Sequence, residues 1–343
     1  MRSSIYTAAA GRAAILSISL ATGSVGLTGL ASAQDLTGAG STFINPIMQN
    51  WIAEYKQATG ISINYQSIGS GGGISALINH TVDFAGSDAP MSAGELLQAR
   101  SPVLHIPAVI GCVAIGYNIP GNTGGLHLNG PVLAQIYLGS ITSWDDPQIA
   151  RLNPGVALPH QGIYVAHRSD GSGTTYILTD YLAKVSGEWR SRVGVGKSVH
   201  WPVGLGGKGS EGVAGLVRSH PYSIGYFELA YATENRIAYC QMLNAKGRFI
   251  SPSSQSGSLA AAGVAMPADM RVSITNTSHA GGYPITGFTW LIVYQNPNKG
   301  AQLKRFLDWV ISTGQGDTAR LQYASIPDAV RSRLKSMIAS VRQ

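Results

Sequence analysis

The sequence predicts an α/β fold with mainly parallel strands. Helical and strand patterns alternate over residues 45–85, which is typical of a sheet covered by helices. Near-continuous apolar runs at residues 109–117 and 288–294 indicate strands that are buried on both faces. Hydrophobic residues make up 44 % of the 343 residues, so the chain can bury a core. Its length corresponds to about two domains of roughly 150 residues each.

The first helix is predicted over residues 45–59. Apolar residues recur every four positions from Ile47 to Tyr55 and form one stripe. Asn45 is expected to cap this helix, and Gly60 has the conformational freedom to end it. The elements predicted after it are, in chain order, strand 61–66, loop 67–73, helix 74–79, strand 82–85, helix 92–99, strands 109–117 and 163–166, a helix containing 176–182, strands 224–227 and 237–239, a surface excursion over 246–267, strand 288–294, and helices 303–310 and 321–341.

The first 33 residues have the pattern of a secretory signal peptide. Two arginines are the only charges before Asp35, an apolar stretch follows them, and Ala31-Ser32-Ala33 fits the A-x-A cleavage pattern. A membrane anchor is the alternative, but serines and glycines interrupt the apolar stretch. We expect export to the periplasm with cleavage after Ala33. No apolar run of about 18 residues follows, so the mature chain is not expected to span a membrane.

Composition and motifs exclude several kinds of site. The net charge is +7, but the 24 Lys and Arg residues form no dense run, so no nucleic-acid groove is expected. Two cysteines cannot form a zinc finger or an iron–sulfur site, and no metal or cofactor is predicted. Cys112 and Cys240 either pair or remain buried thiols. Residues 204–209 match G-x-G-x-x-G, but the Ser or Thr that a P-loop places after its lysine is missing.

Three short loops are rich in glycine and hydroxyl side chains, and each precedes a predicted helix. They are residues 38–43, 67–73 and 168–174. A helix N-terminus presents unpaired N–H groups and partial positive charge, so three such termini that converge would bind an anion. Arg168 adds a planar, permanently charged donor, and Asp170 either braces its guanidinium or serves as a turn residue. Taken singly, each loop is also consistent with an ordinary turn or cap.

Asp88 is unusual beside a predicted anion site, because a carboxylate repels an anion. It fits if the anion carries a proton, since hydrogen phosphate and dihydrogen phosphate can donate an O–H to it. Sulfate has no proton at neutral pH and would bring its own lone pairs against a buried acceptor. Asp88 would therefore select phosphate by rejecting sulfate. The alternative is a surface carboxylate that caps the helix predicted over residues 92–99.

Six segments together identify a family. TGAGSTF, YQSIGSGGG, TVDFAGSDAP, HRSDGSGTT, WPVGLGGKG and SIGYFELAYA occur in this order, and the chain resembles the phosphate-binding subunits of Pst-type ABC importers from about residue 36 to residue 336. The resemblance implies a periplasmic binding protein fold, in which two α/β lobes are joined by crossover hinge strands and a ligand cleft lies between them. The first lobe would comprise residues 34–111 plus 285–343 and the second lobe residues 112–284, with 1–33 as the cleaved signal peptide.

The same resemblance implies the ligands of one inorganic phosphate ion. Asp88 would accept its proton, and Arg168 would bind it through charge-assisted hydrogen bonds while Asp170 holds the guanidinium. The other phosphate ligands that the resemblance implies are Ser41, Thr42, Phe43, Ser70, Ser172, Gly173 and Thr174. The glycine loop 204–209 would face the cleft.

The expected function is non-catalytic, high-affinity binding of phosphate by a monomer. The monomer would deliver phosphate to the membrane permease and ATPase subunits of an ABC importer. One alternative is a secreted phosphatase or phosphoryl-transfer enzyme with Ser70 or Thr174 as nucleophile, although the sequence offers neither a paired base nor a metal cluster. The other alternative is a binder of a different oxyanion such as sulfate or molybdate, which Asp88 disfavours.

Overall fold

The computed structural model describes residues 35–122 and 125–342, so the predicted signal peptide and its cleavage site lie outside the described residues. The strands in this part of the chain are β1 (Leu36–Gly40), β2 (Ile63–Ser67), β3 (Phe84–Ser87), β4 (Val103–Asn118), β5 (His127–Leu128), β6 (Tyr164–Arg168), β7 (Leu205–Gly207), β8 (Ser223–Glu228), β9 (Ala238–Tyr239), β10 (Gln241–Leu243), β11 (Phe249–Ile250) and β12 (Thr286–Tyr294). The helices are α1 (Asn45–Thr59), α2 (Ser70–Ile78), α3 (Ala93–Ala99), α4 (Gly130–Leu138), α5 (Pro147–Leu152), α6 (Gly173–Val185), α7 (Gly187–Arg192), α8 (Gly209–Ser219), α9 (Leu229–Glu234), α10 (Ser254–Ala261), α11 (Gly300–Val310) and α12 (Asp328–Ala339).

One mixed sheet runs through the molecule. Its strands follow the order β2-β1-β3-β12-β4-β8-β6-β7, and β9 pairs with β4. β1 is parallel to β2 and β3, and β6 is parallel to β7 and β8. At the centre, β12 is antiparallel to both β3 and β4, and β4 is antiparallel to β8. The prediction of mainly parallel strands is therefore wrong at the centre. β12 enters the sheet between β3 and β4 in the opposite direction, and the parallel set of β6, β7 and β8 runs opposite to β1, β2 and β3.

The long strand β4 changes partner along its length. It pairs with β12 from Val103 to Cys112 and with β8 from Val113 to Asn118. Both β4 and β12 are buried almost throughout, which is the environment that their apolar runs predict. β4 thereby connects the strands around β1 to the strands around β6.

Helix α1 ends as predicted but begins differently. Gly60 closes it with a φ of 74°, in the left-handed region that favours glycine. The N-cap residue is Ile44 rather than Asn45, and no side chain caps the helix. The hydroxyl of Ser41 instead accepts the amide protons of Phe43 and Ile44, at 3.0 and 3.4 Å, just before the helix starts.

The loop predicted over residues 67–73 is shorter than expected, because α2 begins at Ser70 rather than Ile74. Gly71, Gly72 and Gly73 belong to the first turn of the helix, and Gly69 is the residue that precedes it. A Cβ on Gly73 would lie 2.5 Å from the carbonyl oxygen of Ala39, so only glycine lets α2 lie this close to β1. This packing places Ser70 at the start of a helix.

The segment 246–267 is not a simple surface excursion. It contains β11 and α10, and the side of α10 that carries Ala260 is buried. A Cβ on Gly257 would lie 3.2 Å from the Sγ of Cys112, so α10 packs closely on β4. The small residues that predicted a loop are therefore used for packing.

Two further findings concern the membrane and the cysteines. In the described ranges, no helix combines the length and the apolar character needed to cross a bilayer. Cys112 and Cys240 are both buried free thiols. Burial raises the pKa of Cys112 to about 12 and that of Cys240 well above its usual value, so neither thiol is reactive at neutral pH.

Candidate anion-binding site

The predicted binding segments follow the carboxyl ends of two sets of parallel strands, one around β1 and one around β6, which run in opposite directions. β1 leads directly to Ser41, β3 leads to Asp88, and β6 ends with Arg168. Loops that follow parallel strands are the usual ligand sites of α/β sheets, and here the loops of the two sets contact each other.

Hydroxyl groups hold the Asp88 carboxylate, which is only 2 % exposed. Ser41 Oγ lies 2.6 and 2.7 Å from the two carboxylate oxygens, and Thr289 Oγ1 donates to Oδ1 over 2.7 Å. Ser70 Oγ lies 3.5 Å from Oδ2 and accepts a hydrogen bond from the Asp88 backbone nitrogen at 3.2 Å. A carboxylate has about four acceptor positions, so Oδ2 retains the capacity to accept another hydrogen.

Burial raises the pKa of Asp88 to about 6. Hydrogen bonds from Ser41 and Thr289 and the positive charge of Arg168 oppose this rise, since each of them stabilises the ionised form. At neutral pH the group is therefore a carboxylate, which can only accept hydrogen bonds.

Arg168, which is 3 % exposed, approaches from the end of β6. Its Nε donates to Asp170 Oδ1 over 2.7 Å, and its Nη2 pairs with Asp170 Oδ2. Its Nη1 lies 3.2 Å from Thr174 Oγ1 and 3.5 Å from Ser210 Oγ. Asp170 thus fixes one edge of the guanidinium and leaves Nη1 directed at a group of hydroxyls.

The N-terminus of α6 lies against Ser70 and Asp88. Ser172 caps this helix, because its Oγ accepts the amide proton of Thr175 at 3.0 Å. The backbone nitrogen of Gly173 donates to Ser70 Oγ over 3.1 Å. A Cβ on Gly173 would lie 2.5 Å from Ser70 Oγ and 2.7 Å from the Asp88 backbone nitrogen, so only glycine fits between them.

The loop after β1 is held by its carbonyl groups. Tyr231 and Tyr323 donate their hydroxyl protons to the carbonyl oxygens of Thr42 and Phe43, at 2.7 and 2.6 Å. Thr42 Oγ1 lies 3.1 Å from Ser210 Oγ and accepts the Ser210 amide proton at 3.1 Å. The loop is therefore positioned from both sides, by two tyrosines and by the start of α8.

The structure gathers all the predicted site residues where the carboxyl ends of the two strand sets face each other. They are Ser41, Thr42, Phe43, Ser70, Asp88, Arg168, Asp170, Ser172, Gly173 and Thr174, of which only Asp170 is more than marginally exposed. Two neighbours of these residues, Ser210 and Thr289, were not predicted from the sequence. Ser210 follows the glycine motif at the start of α8, and that combination of glycine and hydroxyl before a helix could have identified it.

No residue pattern in the sequence around Thr289 indicates that it belongs to the binding site. β12 is antiparallel to β3, and the pairing of Trp290 with Ser87 places Thr289 beside Asp88, 201 positions away in the chain. Only the strand order of the folded sheet brings these two residues together.

The chemistry of the site is that of an anion receptor. Hydroxyls, amide N–H groups and a guanidinium supply donors, and Asp88 supplies an ionised acceptor. Across residues 35–122 and 125–342, no group of three or more His, Cys, Asp and Glu side chains is placed to hold a metal ion. The arrangement can bind a small oxyanion and can accept one proton from it.

Comparison with known proteins shows the class to which this protein belongs. Residues 25–313 match the family model described as the PBP superfamily domain. A solved phosphate-binding protein from Stenotrophomonas maltophilia has the same fold, with a TM-score of 0.68 at 19 % sequence identity, over 88 % of this chain and 93 % of that chain. The predicted α/β binding-protein fold is therefore confirmed.

Two curated relatives narrow the class to one family. The phosphate-binding protein PstS of Haemophilus influenzae is 44 % identical over 318 residues, which cover 91 % of this chain and 95 % of that protein. PstS of Pasteurella multocida is 44 % identical over 310 residues, which cover 89 % and 90 % of the two chains. The chain belongs to the PstS family of phosphate-binding proteins, which confirms the family that the sequence motifs indicated.

Proposed function

We propose that this protein binds inorganic phosphate without changing it chemically and supplies it to a phosphate ABC importer. The observation that carries the proposal is the placement of Asp88 and Arg168. Both are buried, and they lie close enough for the arginine charge to oppose the rise in the pKa of the carboxyl group. A donor-rich site with one ionised acceptor matches an oxyanion that has a proton to donate. Membership of the PstS family supports the same conclusion.

Sulfate matches this site less well. At neutral pH it carries no proton, so its oxygens would meet the Asp88 carboxylate as one acceptor against another. The phosphate ion can satisfy Asp88 with its own O–H and can accept from Arg168 with its remaining oxygens. The proposed amide donors are Phe43 and Gly173, which would exchange their present acceptors, Ser41 Oγ and Ser70 Oγ, for phosphate oxygens. The proposed ligands are the predicted site residues listed above, with Ser210 added through its contacts to Thr42 and Arg168.

The cleft is proposed to lie between two lobes, residues 34–111 plus 285–343 and residues 112–284. The register of β4 supports this division, since its partner changes from β12 to β8 between Cys112 and Val113. Hydrogen bonds between Gly173 and Ser70 and between Ser210 and Thr42 then cross the cleft and correspond to its closed form.

The same proposal covers location and partners. The basic start, the apolar stretch and the Ala31-Ser32-Ala33 pattern support export to the periplasm with removal of residues 1–33. In that compartment the protein would act as a monomer and deliver phosphate to the permease and ATPase subunits of the importer.

A phosphatase is not favoured by the geometry of the candidate nucleophiles. Ser70 Oγ accepts amide protons from both Asp88 and Gly173, which makes it an acceptor rather than an activated nucleophile. Thr174 Oγ1 contacts the Arg168 guanidinium, which cannot serve as a base.

Calorimetry on phosphate-stripped protein tests the proposal. We expect one phosphate ion to bind per chain and excess sulfate to compete weakly. Binding heat with sulfate but none with phosphate would refute it, and release of phosphate from nitrophenyl phosphate would favour the enzyme alternative.

A further inference from the structure

One ion pair joins the two proposed lobes outside the set of phosphate ligands. Lys197 Nζ lies 2.7 Å from each carboxylate oxygen of Glu95. Glu95 lies on α3 in the first proposed lobe, whereas Lys197 lies between α7 and β7 in the second. Of the ion pairs found among residues 35–122 and 125–342, it is the one whose partners lie on opposite sides of the proposed boundaries.

The pair is sheltered and its acidic partner is held in place. The side chains of Lys197 and Glu95 are 17 % and 22 % exposed. Glu95 also accepts hydrogen bonds from the amide and the hydroxyl of Ser92, at 2.8 and 2.9 Å, in the capping box of α3. A fixed, partly buried pair loses less side-chain entropy on forming than an exposed pair, so it contributes more to stability.

The backbone of Lys197 connects the pair to a binding segment. Its carbonyl oxygen accepts the amide proton of Ser172 at 2.8 Å, and Ser172 is the cap of α6. Gly196, next to it, is anchored on α6 by two hydrogen bonds with Thr179. On the other side, α3 starts a few residues after Asp88. The ion pair therefore links the segment that follows Asp88 to the segment that supports the start of α6.

We propose that Glu95 and Lys197 form a latch that closes the cleft over bound phosphate and slows its release. The latch rests on the proposed function. Neither residue has to touch phosphate, so both are positioning residues. Because the partners lie on different lobes, the pair stabilises the closed form and adds nothing to the open form. Its contribution is expected in the dissociation rate rather than in the association rate or in the stability of the phosphate-free protein.

The test uses Lys197→Met, which keeps the apolar stem and removes the charge. Stopped-flow measurements should show phosphate leaving roughly 5- to 20-fold faster, with an association rate within about twofold of the wild type. The matched control is Lys299→Met. Lys299 pairs with Asp83 at 3.0 Å, with side chains 24 % and 14 % exposed, and both partners lie in the first proposed lobe. This control should release phosphate at the wild-type rate.

Three further readouts separate a latch from a general structural role. Lys197→Arg should restore slow release. Glu95→Gln should accelerate release as Lys197→Met does, and the double variant should show no additional acceleration, because either change removes the same pair. Lys197→Met should lower the melting temperature of the phosphate-loaded protein and leave that of the stripped protein unchanged.

Two results would overturn the latch. One is wild-type release from Lys197→Met, and the other is an equal loss of melting temperature in the loaded and stripped forms. Failure of the wild-type protein to bind phosphate would instead refute the proposed function, so the two failures are distinguishable.

Discussion

The hydroxyl oxygen of Ser70 accepts a hydrogen bond from the backbone nitrogen of Gly173 over 3.1 Å. Ser70 starts α2 and Gly173 starts α6, so this contact brings the ends of two helices together. It is possible only because Gly173 has no side chain, since a Cβ there would lie 2.5 Å from the same hydroxyl oxygen.

Gly173→Ala should therefore weaken phosphate binding about 100-fold or more, because the added methyl group keeps the two helix ends apart. Calorimetry on the stripped variant measures this. The control is Gly215→Ala on α8, where a Cβ would meet open space. It should bind phosphate normally and be more stable by up to about 1 kcal/mol. Normal binding by Gly173→Ala would show that the contact is not required.

Arg168→Ala should weaken phosphate binding by more than about 10-fold, or roughly 1.5–3 kcal/mol, because it removes charge-assisted hydrogen bonds and leaves Asp170 without its partner. Titration calorimetry at constant ionic strength is the measurement. Arg192→Ala removes an exposed arginine that pairs with Glu188 within α7, and should bind as the wild type does. Equal affinities for both variants would remove Arg168 from the site.

Asp88→Asn should change which anion the protein prefers. An amide can donate to sulfate, whereas the carboxylate can only accept. The ratio of sulfate affinity to phosphate affinity should increase about 10-fold or more at pH 7.5, because the variant no longer places a carboxylate oxygen against a sulfate oxygen. Competition titrations with both anions measure the ratio. An unchanged ratio would mean that selectivity arises elsewhere.

The pH dependence of stability follows from the same carboxyl group. Burial raises the pKa of Asp88 from 3.8 to about 6, so the folded protein holds this proton more tightly than the unfolded chain. The stabilisation from the bound proton is complete below about pH 4 and is lost as the pH rises through about 6. Denaturant unfolding of stripped wild type and Asp88→Asn across this interval should show a difference in unfolding free energy that changes by roughly 1–3 kcal/mol. A constant difference would contradict the raised pKa.

Thr289→Val should raise the pKa of Asp88 further, because it removes the hydroxyl that donates to Oδ1 over 2.7 Å. The pH below which sulfate begins to compete with phosphate should then move upward, by about one unit or less. Thr289→Ser keeps the hydroxyl and should behave as the wild type. Identical competition profiles for Val and Ser variants would show that Thr289 does not influence Asp88.

The sequence predicted the binding segments because their signals are local. Glycine and hydroxyl residues before a helix form a pattern that can be seen within ten residues. Asp88 directly follows the apolar strand β3, and Arg168 is the last residue of β6. The same reasoning could have found Ser210 at the start of α8.

The direction of the central strands and the role of Thr289 could not be predicted in this way. Both depend on β12 entering the sheet between β3 and β4, and a strand buried on both faces has the same apolar pattern in either direction. The cap of α1 was wrong for a different reason. The N-cap lies one residue earlier than predicted, so Asn45 lies inside the first turn of the helix, where its side-chain oxygen accepts from the Gln49 side chain at 3.0 Å rather than from the backbone.

The insertion of β12 also has a consequence for when the receptor can first act. Asp88 accepts short hydrogen bonds from two hydroxyl groups, and one of them belongs to Thr289. The carboxylate that distinguishes phosphate from sulfate is therefore held by both hydroxyls only when the last quarter of the polypeptide has joined the fold. A nascent chain that has emerged only as far as Arg168 or Ser210 already contains most of the proposed phosphate donors, but it lacks the hydrogen bond from Thr289 to Asp88. Full discrimination between anions is therefore expected only of a chain in which β12 has joined the sheet.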